Sequence, residues 1–406
     1  MRLTRENYLK AIRPYYEADL IKVITGVRRA GKSVILESIR DELSASGISS
    51  DHIIYINLED FDYEGITTAS DLNKEIKSHI TDNGRYYLFI DEIQHVEEFE
   101  KALASFRATL NASIFVTGSN SHLLSGELAT LLTGRTVEFE ILPFSFSEMK
   151  EYFELNGKPF NDEMIYDYLK WGGFPLRFDF SEESDISRYL SNLYTGLLNR
   201  DILTKKSRVD RKIFMDVAMY VLSNAGKEFS AENIMNYYES KNHRSVGQRT
   251  VYNYIEKMQK AFLVHPVQKY DIVGKTALQS KQKYYAVDTG FRTIHTNTIN
   301  FEDTFFLENL VYNELLFQGF TVYTGKTHKG EVDFVAIRNG KKCFIQVSYL
   351  MNSQSTIERE FGAFSSITDA SPKYVLSLDK IDLSQNGIAH MNIVDFLLHR
   401  QSLALT

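Results

Sequence analysis

The chain of 406 residues contains one cysteine, Cys343, and no apolar run of the about 18 residues that a membrane-spanning helix needs. A single cysteine excludes an internal disulfide and agrees with a reducing cytosol. The first residues, MRLTRE, are charged and lack the apolar core of a secretion signal. These absences predict a cytoplasmic protein without a membrane partner.

The composition is typical of a globular protein, with 43% hydrophobic and 24% charged residues. The length predicts about two to four domains. The net charge of −7 is uneven, because residues 241–283 hold nine basic residues against only Glu256 and Asp271. That segment carries +7 and the remainder −14. A basic surface on an acidic protein indicates a polyanionic partner, and a solvated charged face is the alternative.

Residues 26–33, GVRRAGKS, match the pattern G-x-x-x-x-G-K-[ST] at every fixed position. An apolar strand is expected before them at 20–24, and apolar residues recur at helical spacing after them. A strand, a glycine turn and a helix start aim several backbone N–H groups at one anion. Lys32 is then expected at the β- and γ-phosphates of ATP and the Ser33 hydroxyl at Mg²⁺, whereas a chance glycine-rich turn is the alternative.

The nucleotide-binding prediction extends over the whole loop. Within it, Arg28 and Arg29 can touch the nucleotide or point outward to a partner, and the sequence leaves both open. The predicted nucleotide-binding residues are Gly26, Val27, Arg28, Arg29, Ala30, Gly31, Lys32, Ser33 and Val34.

A second apolar run, residues 86–90, ends in Asp91 and Glu92. This pattern predicts a buried parallel strand whose carboxyl end lies in a site. We expect Asp91 to bind Mg²⁺ and Glu92 to orient and deprotonate the attacking water. A strand that ends in solvated acids is the alternative.

Two further strands are expected, at 53–57 and 113–117. A polar side chain after the second of them can lie between the acid pair and the γ-phosphate. Thr117, Ser119 and Asn120 are the candidates for this sensor position, and we prefer Ser119 and Asn120. Simple turn chemistry explains the same residues equally well.

Arg135 precedes a strand expected at 137–141. It is a candidate to stabilise transition-state charge, in its own site or in that of a neighbouring subunit. The second case requires a ring or a dimer, and the sequence leaves the oligomeric state open. An ordinary salt-bridged arginine is the other interpretation.

Together, GVRRAGKS, FIDEIQ, FVTGSNSHLLSGELATLLTGR and ILPFSFSEM resemble a large prokaryotic family of predicted AAA-like P-loop ATPases. Members of that family carry a C-terminal domain of unknown function. The resemblance covers essentially the whole chain and is most specific in residues 20–150. It implies an ATPase core in which Lys32, Ser33, Asp91 and Glu92 occupy the family's functional positions, while Arg135 occupies its Gly-Arg position.

Residues 145–205 are expected to form helices, since apolar residues recur there with helical spacing. The segment WGGFP, residues 171–175, predicts a turn with an aromatic anchor. It resembles a recurrent feature of the family's lid region. Arg177 follows this turn, and either it faces the nucleotide from the lid or it is one surface arginine among many.

Residues 209–298 show an order of three helices and a ribbon, which looks like a winged helix-turn-helix. In that fold the third helix can enter a DNA major groove and the ribbon can touch phosphates. The rival interpretation is a winged helix used for protein contact or as a hinge. The candidates for binding double-stranded DNA are Arg249, Asn253, Lys257, Lys281 and Lys283.

The last hundred residues resemble the PD-(D/E)XK nuclease fold. Glu308 in a helix, Asp333 on a strand and Gln346 on the next strand fit its metal-binding pattern. Ser348 stands where that fold has a lysine, and Gln346 brings no charge to a metal. We therefore expect a degenerate nuclease-like domain that is used for binding or packing. The possible sources of a replacement amine are Lys326, Lys329, Lys341 and Lys342.

The expected fold class is α/β: a P-loop NTPase (AAA-like) parallel sheet, a helical lid, a winged helix-turn-helix and a C-terminal restriction-endonuclease-like domain. The expected boundaries are 1–145, 146–208, 209–298 and 299–406. The predicted function is Mg²⁺-dependent ATP hydrolysis coupled to DNA or protein-partner binding. The alternatives are a nucleotide-gated DNA-binding protein with little turnover and an ATP-regulated nuclease.

Overall fold

The computed structural model describes residues 2–119, 132–203, 209–242, 245–295, 304–328 and 330–405, without the side chains of 242 and 278–281. The chain divides into two compact units. One comprises residues 2–143 and 260–262, and the other comprises residues 144–259 and 263–406. The sensor candidate Asn120 and the replacement-amine candidate Lys329 lie outside the described residues, and so does the side chain of Lys281.

The first unit is built on a parallel five-stranded sheet in the order β2-β3-β4-β1-β5. Its middle strands β3, β4 and β1 are rich in apolar residues and buried along almost their whole length, as expected for strands that are covered on both faces. The strands are β1 (Ile21–Thr25), β2 (Ile53–Asn57), β3 (Tyr86–Asp91), β4 (Ala112–Thr117) and β5 (Thr136–Glu140). Each predicted strand of this sheet is therefore present, and β1 and β5 are displaced by one residue from the expected ranges.

Helices connect these strands and contribute apolar faces to the core of the first unit. They are α1 (Glu6–Ile12), α2 (Lys32–Ala45), α3 (Ala69–Ser78) and α4 (Phe99–Thr109). A capping box starts α3, because the Thr68 side chain accepts from the Asp71 N–H while the Asp71 carboxylate accepts from the Thr68 N–H. The predicted α/β fold with a parallel sheet is confirmed.

The second unit begins with helices, as predicted for residues 145–205. The first three are α5 (Phe146–Leu155), α6 (Ile165–Trp171) and α7 (Glu183–Leu197). Three more follow, α8 (Arg211–Ser223), α9 (Ala231–Asn242) and α10 (Gln248–Lys260), and a short α11 (Thr289–Thr293) comes after the next two strands. Asp210 caps α8 by accepting from the Lys212 and Ile213 N–H groups.

The glycines of the WGGFP turn are required by geometry. Gly172 has φ +72°, and a Cβ on Gly173 would lie 2.0 Å from the Phe144 carbonyl oxygen. The buried carboxylate of Asp288 accepts hydrogen bonds from the Gly173 N–H at 2.6 Å and the Gly290 N–H at 2.8 Å. This side chain therefore joins the turn to the start of α11.

A seven-stranded sheet fills the rest of the second unit, in the order β12-β11-β10-β9-β8-β6-β7. The β6–β7, β8–β9 and β9–β10 pairs are antiparallel, and the remaining pairs are parallel. Helices α12 (Thr304–Phe317), α13 (Gln354–Gly362) and α14 (Ile393–Leu397) belong to the same region. The strands are β6 (Val264–Asp271), β7 (Thr276–Ala286), β8 (Thr321–Lys326), β9 (Glu331–Arg338), β10 (Lys341–Val347), β11 (Lys373–Ser377) and β12 (Ala389–Asn392).

Among the described residues, no helix combines the length and the apolar character needed to cross a bilayer.

Candidate nucleotide-binding site

The loop between β1 and α2 has a backbone that only glycine accommodates at two positions. Gly26 has φ +128°, and a Cβ there would lie 2.3 Å from the Ile141 carbonyl oxygen. Gly31 has φ +101° and immediately precedes the first residue of α2. The N–H groups of the first turn of α2 have no intrahelical acceptor, and they carry the positive end of the helix dipole. The loop and the helix start thus form an anion site.

Lys32 is the first residue of α2 and is 4% exposed. Its ammonium group donates to the carbonyl oxygens of Gly26 at 3.1 Å and Val27 at 3.3 Å. The lysine is thus folded over the loop that would hold phosphates. Ser33 follows it on the helix and is partly buried.

Arg5 holds the phosphate-binding loop through its guanidinium group. No pattern in the local sequence predicted this role. Its guanidinium donates to the Ala30 carbonyl oxygen at 2.9 Å and to the Pro143 carbonyl oxygen at 3.4 Å. It also lies over the Tyr8 ring, 4.6 Å from the centroid, and is 1% exposed. The N-terminal segment therefore fixes the position of the phosphate-binding loop.

The acid pair lies at the carboxyl end of β3, two strands away from β1. Asp91 is 2% exposed and Glu92 is 7% exposed. Glu92 has φ +56°, a left-handed backbone that is rare for a residue with a side chain. Backbone strain of this kind persists only where surrounding residues hold the conformation, and it is concentrated at functional sites.

Thr117 provides that surrounding structure from β4, the strand between β1 and β3. Its hydroxyl donates to the Asp91 carboxylate and accepts from the Glu92 N–H at 2.8 Å. The sensor prediction preferred Ser119 and Asn120, but Thr117 is the candidate that contacts both acids. Ser119 is buried, and its hydroxyl has no hydrogen-bond partner among the described residues.

Two further side chains hold the acid pair. The Tyr55 hydroxyl donates to the second Asp91 oxygen at 3.4 Å, and the Gln94 amide donates to the Glu92 carboxylate. Burial, together with the negative charge of Asp91, raises the pKa of Tyr55, so this phenol remains a donor. Neither residue had a distinguishing sequence signal.

The three arginines predicted near the nucleotide differ in environment. Arg28 is ion-paired with Glu59 at 3.0 Å. Arg29 is exposed with φ +69°. Arg135 is exposed in the turn before β5, and its backbone oxygen accepts from the Ile21 N–H. Nothing in these contacts assigns Arg135 a part in the site.

The side chains present suit a triphosphate and a hard cation. The Asp91 carboxylate and the Ser33 hydroxyl offer the oxygen ligands that Mg²⁺ prefers, with water and phosphate completing the octahedron. The buried hydroxyl of Ser119, which has no hydrogen-bond partner within the described ranges, is a further polar group that a ligand can satisfy. In the described part of the chain, no group of three or more His, Cys, Asp or Glu side chains is arranged to hold a metal ion.

The DNA-binding candidates do not share one environment. Arg249 and Asn253 are exposed on α10, and Lys257 is partly buried. Lys283, in contrast, is buried, and its ammonium lies 3.8 Å from the Glu308 carboxylate. The expectation that Lys283 contacts DNA from an exposed wing is corrected by this burial.

Two of the predicted nuclease-like residues, Asp333 and Gln346, contact each other on the neighbouring strands β9 and β10. The Asp333 N–H donates to the Gln346 side-chain oxygen at 3.3 Å, and the Asp333 carboxylate accepts from the Val347 N–H at 2.8 Å. Burial raises the pKa of Asp333 to about 6, although the ammonium of Lys283 opposes this. Glu308 accepts from the Tyr285 hydroxyl at 3.2 Å.

Arg177 is not free to face a nucleotide. It is 2% exposed, donates to the Gly172 carbonyl oxygen at 2.6 Å and pairs with Asp167 at 2.8 Å. The alternative that it is an exposed surface arginine is wrong as well. Its role is to hold the WGGFP turn.

Comparison with known proteins shows which domain family the first unit matches. Residues 18–150 match the family described as AAA domain, and residues 162–301 match a domain of unknown function, DUF8612. Over 401 residues the chain is 34% identical to an uncharacterized protein of Haemophilus influenzae, and the match covers 98% of each chain. The chain belongs to the same family as that protein, and it carries an AAA domain.

A second member of this AAA-domain family is an uncharacterized protein of Methanocaldococcus jannaschii. It is 31% identical over 385 residues, which are 89% of this chain and 81% of that one. Among solved structures, a Walker-type ATPase of Pyrococcus abyssi covers 72% of this chain and 96% of its own, with a TM-score of 0.52. Its identity of 16% makes this a likeness of fold alone. The predicted AAA-like core is confirmed by the match of residues 18–150 to the AAA domain.

Proposed function

We propose that this AAA-domain protein hydrolyses ATP with Mg²⁺ and uses the energy or the bound state to control binding by its second unit. The observation that carries the proposal is the Thr117 hydroxyl, which contacts both Asp91 and Glu92 beside the strand that leads into the phosphate-binding loop. A water-activating carboxylate and a cation-binding carboxylate are thereby held in fixed relation.

Each residue then has a defined task. The loop N–H groups and Lys32 bind the phosphates, since Lys32 can exchange its loop carbonyl acceptors for phosphate oxygens. Ser33 and Asp91 would hold the Mg²⁺, whose charge neutralises the phosphates. The Glu92 carboxylate would orient the attacking water and accept its proton. Ser119, whose buried hydroxyl has no hydrogen-bond partner among the described residues, would donate to an oxygen of the ligand.

Phosphate release at saturating ATP and Mg²⁺ tests this assignment. Lys32→Ala should weaken nucleotide binding, and Glu92→Gln should keep binding while turnover falls on the order of 100-fold. Glu98→Gln is the matched control, because Glu98 is an exposed acid paired only on the surface with Lys101. Near-normal hydrolysis by Glu92→Gln would refute the assignment of Glu92 as the base. Measuring phosphate release in a single turnover distinguishes an ATPase from a protein that binds ATP without hydrolysing it repeatedly.

For the second unit, the proposed partner is double-stranded DNA, bound through a winged helix at 209–298. Helices α8, α9 and α10 are followed by the antiparallel β6–β7 pair, the element order of that fold. An isolated antiparallel bridge also joins Glu228, in the segment before α9, to Lys283 on β7. One face of α10 is buried through Val251, Tyr254, Ile255 and Met258, which leaves Arg249 and Asn253 on its exposed face.

Titration of labelled duplex DNA at several salt concentrations tests this part. Affinity should fall with salt, and Arg249→Ala should weaken binding and reduce the salt slope by about 1 if the arginine contacts a phosphate. Lys212→Ala is the control, since Lys212 is an exposed lysine on α8. The rival interpretation would be favoured if the protein had no affinity for DNA and instead bound a protein partner with an affinity that does not depend on salt.

A further inference from the structure

The Gln94 side chain has one end that is hydrogen-bonded and one end that has no partner. Its amide Nε2 donates to Oε2 of the Glu92 carboxylate. Its oxygen, Oε1, is buried and accepts no hydrogen bond from any residue that the structure describes. A buried amide oxygen without a donor is costly, and native proteins rarely contain one without a functional reason. The position therefore calls for a donor that a bound molecule supplies.

The Glu92 carboxylate shows the same division. Gln94 holds its Oε2, whereas Oε1 makes no hydrogen bond within the described part of the chain. The backbone of Glu92 is fixed as well, because its N–H donates to the Thr117 hydroxyl at 2.8 Å and its carbonyl oxygen accepts from the His95 N–H at 3.1 Å. One carboxylate oxygen is thus available on a residue whose backbone and second oxygen are both held.

Both oxygens lie at the edge of the first sheet that also carries the phosphate-binding loop. Glu92 follows the last residue of β3, and Gln94 lies in the short helical turn Ile93–His95 that comes next. The strands β3, β4 and β1 are parallel, so their carboxyl ends share one edge, and β1 leads directly into the loop. Gln94 is partly buried and Glu92 is 7% exposed, and hydrogen bonds are stronger in such an enclosed place than in water.

Water is the molecule that matches these two acceptors. A water molecule has two hydrogens to donate, and it needs two or more polar partners to be held in one place. With one hydrogen on Glu92 Oε1 and the other on Gln94 Oε1, its lone pairs remain for the phosphorus. The amide suits this position because it adds no charge, whereas a second carboxylate would repel Glu92.

We propose that Gln94 is a catalytic residue of ATP hydrolysis, which binds the attacking water together with Glu92. The proposal rests on the proposed ATPase function and adds a residue to it, since the family resemblance gives roles to Asp91 and Glu92 but none to Gln94. The Gln94 oxygen accepts a hydrogen bond from the water. Its N–H group keeps the Glu92 carboxylate in the orientation that receives the proton.

In this reaction the water oxygen forms a bond to the γ-phosphorus while the bond from that phosphorus to the oxygen bridging it to the β-phosphorus breaks. One water proton passes to the Glu92 carboxylate, which later returns it to the released phosphate or to solvent. The other hydrogen stays on the transferred oxygen and donates to Gln94 Oε1, so Gln94 neither gains nor loses a proton. The products are ADP and inorganic phosphate.

Gln94→Met preserves the length of the side chain and removes both its oxygen and its N–H donor. We expect turnover in steady-state phosphate release to fall about 10- to 100-fold, while the calorimetric affinity for a non-hydrolysable ATP analogue stays within about twofold. Gln94→Asn keeps the amide but is one methylene shorter, so it should lose turnover as well. His95→Ala is the matched control, an exposed change in the same turn that should hydrolyse ATP as the wild type does. The melting temperature of each variant reports whether it is folded.

A double-mutant cycle separates a catalytic role from a structural one. Because the two residues hold one water, Gln94→Met should slow a Glu92→Gln protein by less than about threefold, far less than it slows the wild type. An equal factor in both backgrounds would show that Gln94 acts independently of Glu92 and would overturn the proposal, and so would wild-type turnover by Gln94→Met. A wild-type protein that releases no phosphate would overturn the ATPase assignment itself, together with this role of Gln94.

Discussion

The hydroxyl of Thr117 donates to the Asp91 carboxylate and accepts from the N–H of Glu92 at 2.8 Å. One side chain on β4 therefore fixes both acids at the end of β3. The same hydroxyl satisfies the N–H of Glu92, whose backbone is left-handed with φ +56°. In the proposed function, Thr117 would therefore be a positioning residue for the acid pair.

Thr117→Val preserves the shape of the side chain and removes the hydroxyl. Because Asp91 and Glu92 each lose a partner, we expect turnover to fall about 10- to 100-fold while ATP affinity changes little. Steady-state phosphate release gives turnover, and calorimetric ATP titration gives the affinity. Thr117→Ser restores the hydroxyl and should recover most of the rate, and a valine variant as fast as wild type would disprove the role.

Arg5→Met should loosen the phosphate-binding loop, because the Ala30 carbonyl oxygen loses its guanidinium donor. We expect ATP affinity to fall about tenfold, which corresponds to about 1.4 kcal/mol. Lys10→Met, an exposed change on helix α1, which begins directly after Arg5, should bind ATP as the wild type does. Equal ATP affinity of the Arg5 and Lys10 variants would show that Arg5 does not hold the loop in its ATP-binding conformation.

Burial raises the pKa of Asp288 to about 6, although two backbone N–H groups and Arg177 lower it. A carboxyl whose folded pKa exceeds its unfolded value of 3.8 contributes stability below that value, and this contribution is lost as the pH rises through about 6. Asp288→Asn removes this pH dependence. Between about pH 4 and pH 7, the free energy of unfolding of the variant should therefore rise relative to that of the wild type by on the order of 3 kcal/mol.

Urea unfolding of both proteins across that pH range measures the difference. The asparagine has one oxygen for two N–H donors, so the variant should start less stable at low pH by about 1–3 kcal/mol. Parallel stability curves for the two proteins would show that Asp288 does not titrate in this range.

His399 donates to the buried carboxylate of Glu314 at 2.7 Å. This hydrogen bond raises the pKa of His399, and the charges of Glu151 and Glu148 add to the effect. A raised histidine pKa gives stability that is present at low pH and is lost as the pH rises through the folded value. His399→Ala should therefore cost about 1–3 kcal/mol near pH 6 and less near pH 9.

Chemical denaturation at those two pH values checks this prediction. Arg188→Ala is a surface control, because Arg188 makes only an exposed i,i+3 pair with Asp185. A loss for His399→Ala that is the same at both pH values would mean that packing, and not charge, is what the histidine contributes.

The sequence by itself determined the elements that are built from residues close together in the chain. Gly26, Gly31 and Lys32 form one contiguous loop, and the residues around Asp91 form one apolar strand, so local pattern was sufficient to predict them. The five strands of the first sheet followed from their apolar runs for the same reason. The helices expected at 145–205, and the three helices and ribbon expected at 209–298, likewise followed from hydrophobic periodicity.

Only the tertiary structure decided which distant side chains meet. Thr117, and not the preferred Ser119, contacts the acids because β4 packs between β1 and β3. Arg5 reaches Ala30 across 25 positions, and Lys283 lies beside Glu308 because β7 and α12 pack together. Sheet order and helix packing are set by burial summed over the whole chain, so no local motif of Lys283 could distinguish an exposed wing lysine from a buried one.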